Sequence, residues 1–170
     1  MYAFGRKSLA QLKTLHPDLN RILTELIKTY DFSVQEGIRS AVRQNFLFTA
    51  TPPRTTLDGY KKKSKHQGRK CKQSEAAIGA DGEMVRDEDG SPICSYAVDI
   101  TPYKRGVNPY SEKELDLRRF YFMMGKAKAI SDRLFEEGKN THRLRLGMDW
   151  DSDDIYTDQS FHDLPHLELV

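Results

Sequence analysis

Between Pro52 and Pro92 the chain carries no apolar stripe of helical or strand period, and that gap dictates how the rest can fold. Lys61, Lys62, Lys63, Lys65, Arg69, Lys70 and Lys72 make its first part basic. Asp81-Gly82 and Asp87-Glu88-Asp89-Gly90 make the remainder acidic and rich in turn signals, with Glu83 to Arg86 between them reading as a short hairpin arm. An EF-hand does not fit, because Asp81, Asp87 and Asp89 are wrongly spaced and no bidentate Glu closes the loop. The expectation is an exposed insertion at about 67–94, with little core of its own, inside a single domain spanning 1–170. The core then has to come from the two flanks.

Both flanks carry the necessary patterns. His16-Pro17-Asp18 opens a helix, with Pro in the first turn and an acid at the positive end of the dipole. Leu19, Ile22, Leu23, Leu26, Ile27 and Tyr30 then form one apolar stripe. Phe32 to Gln35 alternates as a strand ending at Gly37, and Ser40 to Phe48 reads as a second helix stopped by Pro52-Pro53. Beyond the insertion, Tyr96 to Ile100 alternates as a strand. Ser111 and Glu114 form a capping box for a helix reaching about Glu137, where Gly138 ends it. Its expected core stripe is Leu115, Phe120, Met123, Ala127, Ile130 and Leu134. Arg143 to Met148 alternates as a further strand, and an acidic loop from Asp149 to Asp158 precedes the tail. The sum is an α+β fold with a small antiparallel sheet packed against helices.

Composition narrows the function. Lys and Arg number 27 against 25 Asp and Glu, a net charge of +2, which argues against a dedicated nucleic-acid domain. No apolar run approaches a membrane span, so membrane insertion is not expected. The first residues lack an apolar h-region, so synthesis in a cytosol without a signal peptide is expected. Cys71 and Cys94 are too few for a disulfide framework; they are expected as reduced thiols, with pairing across the base of the insertion open in an oxidising compartment. Nothing demands an oligomer, so a monomer is expected.

The tail, Phe161-His162-Asp163-Leu164-Pro165-His166-Leu167-Glu168-Leu169-Val170, carries the chemistry. It imitates a helical zinc motif, but Pro165 would break the turn that brings His162 and His166 together. As a strand it works better: His166 and Glu168 share one face, Leu167 and Leu169 face the core, and Asp163 sits in the approach loop. His66 and Asp99, at the two ends of the insertion, complete a set of two imidazoles and one carboxylate. That is a zinc ligand set with a fourth position for water, whose proton Asp163 could take. The remaining histidines read more plainly: His16 as a helix cap or exposed, His142 at a strand start, and His162 pointing away from the site.

Five segments in order resemble the zinc peptidases of peptidoglycan: Val34-Gln35-Glu36-Gly37-Ile38-Arg39, Ser64-Lys65-His66, Ala97-Val98-Asp99-Ile100-Thr101-Pro102-Tyr103, Leu146-Gly147-Met148-Asp149-Trp150 and the tail. That family includes D-Ala-D-Ala carboxypeptidases, vancomycin-resistance dipeptidases and the L-alanyl-D-glutamate peptidases used as phage endolysins; the segments are most similar to the last. The resemblance implies one zinc ion per chain held by His66, Asp99 and His166 on a sheet face, in a fold like that of Hedgehog proteins and D-Ala-D-Ala peptidases. It implies Asp163 as catalytic base, Arg39 as a catalytic and substrate-binding group, and Gln35 and Ser64 beside the substrate, a peptidoglycan stem peptide. A guanidinium suits that role because it offers forked donors to a carbonyl or carboxylate; the plainer reading of Arg39 is a structural ion pair.

Two departures stand out. The family separates its first histidine from the aspartate by about seven positions, whereas 32 residues intervene between His66 and Asp99, an excursion that slowly growing loop-closure costs permit. Ser95 also stands where glycine is usual. The implied activity is hydrolysis of the L-Ala-D-Glu bond by an endolysin that reaches the cell wall or periplasm after membrane permeabilisation. The alternatives are a D,D-carboxypeptidase or dipeptidase, and a non-catalytic zinc-stabilised wall-binding module.

Overall fold

The computed structural model describes residues 1–108, 110 and 113–170. Helices α1 (Arg6–Leu12), α2 (Pro17–Leu26), α3 (Ala41–Phe48) and α4 (Glu114–Glu136) accompany strands β1 (Phe32–Glu36), β2 (Arg69–Lys70), β3 (Ile93–Cys94), β4 (Ala97–Pro102), β5 (Leu144–Leu146) and β6 (His166–Leu169). Four strands form an antiparallel sheet in the order β1-β4-β6-β5, while β2 and β3 pair by themselves. The expected α+β arrangement with a small antiparallel sheet is what the chain adopts.

Period-two alternation gives the sheet two unlike faces. Val98, Ile100, Leu144, Leu146, Leu167 and Leu169 are buried in the core with Leu19, Ile22, Leu23 and Leu26 of α2 and Phe120, Met123, Met124, Ala127 and Leu134 of α4. Helices α2 and α4 pack on each other, and α4 packs on β4 and β5. The opposite face carries polar residues in register: Asp99 lies opposite His166, and Glu168 lies between Ala97 and Arg145. No helix among the described residues is long and apolar enough to cross a membrane.

A bulge in β1 adjusts this pattern. Val34 pairs with Ile100, yet Glu36 rather than Gln35 pairs with Asp99. The extra residue moves Glu36 off the core face and onto the face that carries Asp99, as an inserted residue in a ladder must.

The insertion is closed at its neck. Arg69 pairs with Cys94 and Lys70 with Ile93, so the chain leaves after His66 and returns before Asp99 through one short ladder. Beyond the neck the strand-like contacts are single bridges, Ile78 with Met84 and Arg86 with Pro92. The excursion is not free of core, because Ala77 and Cys94 are fully buried and the Ile78 amide donates to Lys13 O. Cys71 and Cys94 are free thiols, and burial pushes both up.

Several sequence expectations need correction. Helix α1 was not expected, since it is short and buries only Ser8. Its contribution is polar: Ser8 Oγ accepts from the Val34 amide, 3.0 Å away. Helix α2 ends at Leu26, and Ile27 to Tyr30 continue as turns. Leu115 is 69% exposed and outside the core stripe, because it sits on the first turn of α4, ahead of where the helix meets the sheet. The Ser111 cap lies outside the described residues, and α4 begins with Lys113 at its N-cap. Strand β5 spans only Leu144–Leu146, because Gly147 and Met148 turn to approach the tail.

Candidate metal centre

Four local devices deliver the donor atoms. His66 lies in a single 3-10 turn, Lys65–Gln67, capped by Ser64, whose hydroxyl accepts from the His66 amide at 3.3 Å. Gln67 reaches back to the Ser64 amide at 2.9 Å, which completes a capping box. Asp99 and His166 face each other on adjacent strands. Asp163 and His166 form a tight turn, the His166 amide donating to Asp163 O at 2.9 Å. Gly147 holds that turn from below: it accepts from the Asp163 amide at 2.7 Å and donates to His166 O at 2.8 Å. A Cβ on Gly147 would lie 2.3 Å from Asp163 O and 2.8 Å from His166 Cβ, so only glycine fits.

The result is a nearly equilateral triangle. His66 Nε2 is 3.3 Å from His166 Nδ1, and each nitrogen is 3.2 Å from Asp99 Oδ1. Ligands bound at about 2.0–2.1 Å in a regular tetrahedron lie roughly 3.3 Å apart, so three edges of one tetrahedral face are already in place. Both imidazoles have their other nitrogen committed. His66 Nδ1 faces Gly37 O at 2.8 Å, and His166 Nε2 faces Glu168 Oε2 at 3.3 Å. Borderline N and O donors in this number suit zinc.

Two other groups of metal-competent side chains occur among the described residues. In His16–Asp18–His142 the sides are unequal, 2.9 and 3.9 Å from Asp18 Oδ2, and Asp18 is occupied by Arg21, Thr141 and His142. In Asp149–Asp151–Asp153, Asp149 already accepts from the Asp153 and Asp154 amides.

Charge is tightly coupled around the triangle. Burial alone would raise Asp99, but the two histidines hold it well below the usual carboxylate range. Burial would lower His166, yet its bonds to Asp99 and Glu168 raise it to about 9. Asp163 is pushed up by burial and by the neighbouring Asp99 charge, against the pull of His166, His66 and Arg39. Its carboxylate accepts no hydrogen bond among the described residues.

Arg39 is held more firmly than a free substrate clamp would be. Its Nη2 donates to Glu36 Oε2 at 2.6 Å and to Asp99 Oδ2 at 3.1 Å, and its Nη1 donates to Gln44 Oε1 at 2.9 Å. The ion pair named above as the plainer reading is therefore present, and Nε is buried with no hydrogen-bond partner among the described residues. Gln35 is exposed on the Asp99 side of the sheet and donates to Thr101 Oγ1 at 2.6 Å; it does not touch the triangle. His16 caps α2 and is buried; His162 is exposed.

Other neighbours were not singled out from sequence. Glu36 is brought in by the bulge. Trp150 stacks on His166 at 5.4 Å and on Phe161 at 6.4 Å. Tyr110, on the loop after β4, is raised by burial and by the charges of Asp99, Glu36 and Asp163. The Glu36-x-x-Arg39 spacing was a readable signal; the loop around Tyr110 held none.

Compared with known protein families, the chain matches phage L-alanyl-D-glutamate peptidase over residues 1–170. It belongs to that family. The phage L-alanyl-D-glutamate peptidase family accounts for the ordered motifs, and the chain is a peptidase by that membership. No curated protein matches it. Among solved structures it is similar to the L-Ala D-Glu endopeptidase ChiX of Serratia marcescens, with a TM-score of 0.59 and 20% identity over 98% of this chain and 89% of that one. That likeness is one of fold. The family membership supports peptidoglycan hydrolysis, by a chain that carries a metal-competent His/Asp group.

Proposed function

We propose that the chain is a zinc-dependent endopeptidase that hydrolyses the L-Ala-D-Glu bond of peptidoglycan stem peptides. The observation that carries this reading is the triangle of His66 Nε2, Asp99 Oδ1 and His166 Nδ1, with the charge-coupled Asp163 carboxylate beside it, which accepts no hydrogen bond among the described residues. His66, Asp99 and His166 would hold the ion. Zinc, when bound, polarises a carbonyl and makes water acidic enough to deprotonate near neutral pH.

The protein's own groups supply the remainder. Asp163, raised by burial, accepts the proton of the attacking water and returns one to the departing amine of D-Glu. Arg39 keeps Asp99 oriented through Oδ2, and its guanidinium is the proposed contact to the substrate carbonyl. Gln35 and Ser64 are the proposed flanking contacts to the stem peptide; Ser64 also shapes the turn that presents His66. The proposed setting is phage-mediated lysis, with the enzyme reaching the wall once the membrane is breached.

Digestion of purified peptidoglycan tests the bond. New L-Ala C-termini paired with new D-Glu N-termini are expected; release of free D-Ala instead would move the enzyme to the carboxypeptidase class. Asp163→Asn should lower the rate by about 10²–10⁴-fold while zinc content stays at one per chain. Unchanged lysis by that variant would mark the site as non-catalytic.

A further inference from the structure

Glu168 is 5% exposed and stands on the polar sheet face between Arg145 and His166. Its Oε1 accepts from Arg145 through Nε at 2.7 Å and through Nη2, and pairs with Lys65 Nζ at 3.1 Å. Its Oε2 faces His166 Nε2 at 3.3 Å. Held against two cationic side chains, Arg145 and Lys65, Glu168 is a carboxylate. An ionised carboxylate only accepts hydrogen bonds. In the neutral, ligating form of His166 the single ring proton then sits on Nε2, which leaves the Nδ1 lone pair facing the triangle.

His66 is wired the opposite way. Its Nδ1 is the nitrogen that meets a carbonyl, Gly37 O, so Nε2 is left facing the triangle. The two imidazoles therefore present different nitrogens, and the acceptor behind each ring decides which. Lys65 ties the two arrangements together. It directly precedes His66, and its Nζ also donates to Leu169 O at 2.7 Å, one residue beyond Glu168. Trp150 holds the His166 ring by its face, and Arg145 Nη1 donates to Trp150 O at 3.2 Å.

We infer that Glu168, buttressed by Lys65 and Arg145, is a positioning residue that fixes the tautomer and ring plane of His166 and thereby sets the affinity of the site for its metal. The inference rests on the reading of the triangle as a metal centre. Carboxylate or carbonyl partners behind metal-binding histidines typically contribute 10–100-fold in affinity.

The test compares wild type, Glu168→Gln and Glu168→Ala, each stripped of metal and titrated with zinc against a chromophoric chelator. Trp150, the single tryptophan, gives a fluorescence readout on the His166 ring itself. Glu168→Ala is expected to bind zinc about 10–100-fold more weakly. Glu168→Gln, which keeps an oxygen acceptor for Nε2, should fall between it and wild type. Long-range nitrogen–proton NMR of zinc-loaded wild type should show His166 protonated on Nε2 with Nδ1 ligating, a measurement that needs no variant. Zinc affinity of folded Glu168→Ala within twofold of wild type, or Nε2 ligation in wild type, overturns the inference and leaves the peptidase reading standing. Failure of wild type to bind zinc overturns both.

Discussion

At the scale of single residues, the clearest constraint is where a side chain cannot be. Gly147→Ala would drive a Cβ into Asp163 O, which is backbone and cannot swing aside. Overpacking of this kind costs about 1–3 kcal/mol, and here it would displace the turn that carries both Asp163 and His166. Loss of peptidase activity far beyond the drop in melting temperature is expected, measured on the same preparation. Asp18 is a second constrained residue, remote from the triangle in its contacts. It is 1% exposed and accepts from Arg21, from the Thr141 amide and hydroxyl, and from the His142 amide and ring. Removing Asp18 leaves the Thr141 and His142 amides without their acceptor, a loss of about 1–3 kcal/mol, so Asp18→Ala should be destabilised in urea unfolding at neutral pH. Burial would raise the Asp18 carboxyl, but the His142 and Thr141 bonds win and its pKa is lowered from 3.8. A folded-state pKa below the unfolded one gives stability that is present above about pH 4 and lost as pH falls through the folded value. The gap between wild type and Asp18→Ala should accordingly shrink below pH 4.

At the scale of elements, the sequence was legible where one period ran for several residues. The stripes of α2 and α4 and the alternation of β4 and β6 were readable because burial on one face forces a 3.6 or 2.0 period. Leu115 failed because a stripe does not reveal where its helix first meets the core. Helix α1 was missed because its contribution is hydrogen bonds, accepted by Ser8 from the Val34 amide and by Gln11 from the Gly37 amide at 2.8 Å, and these leave no apolar pattern. The bulge that brings Glu36 opposite Asp99 is equally silent in composition. The excursion offers a prediction at this scale. Lys70 and Ile93 are a register pair, so replacing residues 71–92 with Asn-Gly would make a two-residue hairpin on the existing ladder. Both proposed flanking ligands, His66 and Asp99, lie outside the replaced segment, so zinc should remain near one per chain by elemental analysis. A folded variant without zinc would show that the excursion itself builds the site.

At the scale of the whole molecule, the fold serves to bring distant residues into one triangle. His66 and His166 are 100 positions apart, yet a 3-10 turn at the neck of the excursion and the sheet strand β6 bring their nitrogens to 3.3 Å. Three of the five ordered motifs, those with His66, Asp99 and His166, made that convergence legible before any coordinates, because each places one donor on a different stretch of chain. What surrounds the donors was less legible. The contacts of Lys65, Arg145 and Trp150 depend on register and turn geometry that no local pattern encodes. Anomalous diffraction at the zinc edge, from crystals of the zinc-loaded enzyme, tests the central claim directly. One peak within about 2.0–2.1 Å of His66 Nε2, Asp99 Oδ1 and His166 Nδ1 is expected; a peak at Asp18 or Asp149 with the triangle empty would contradict it.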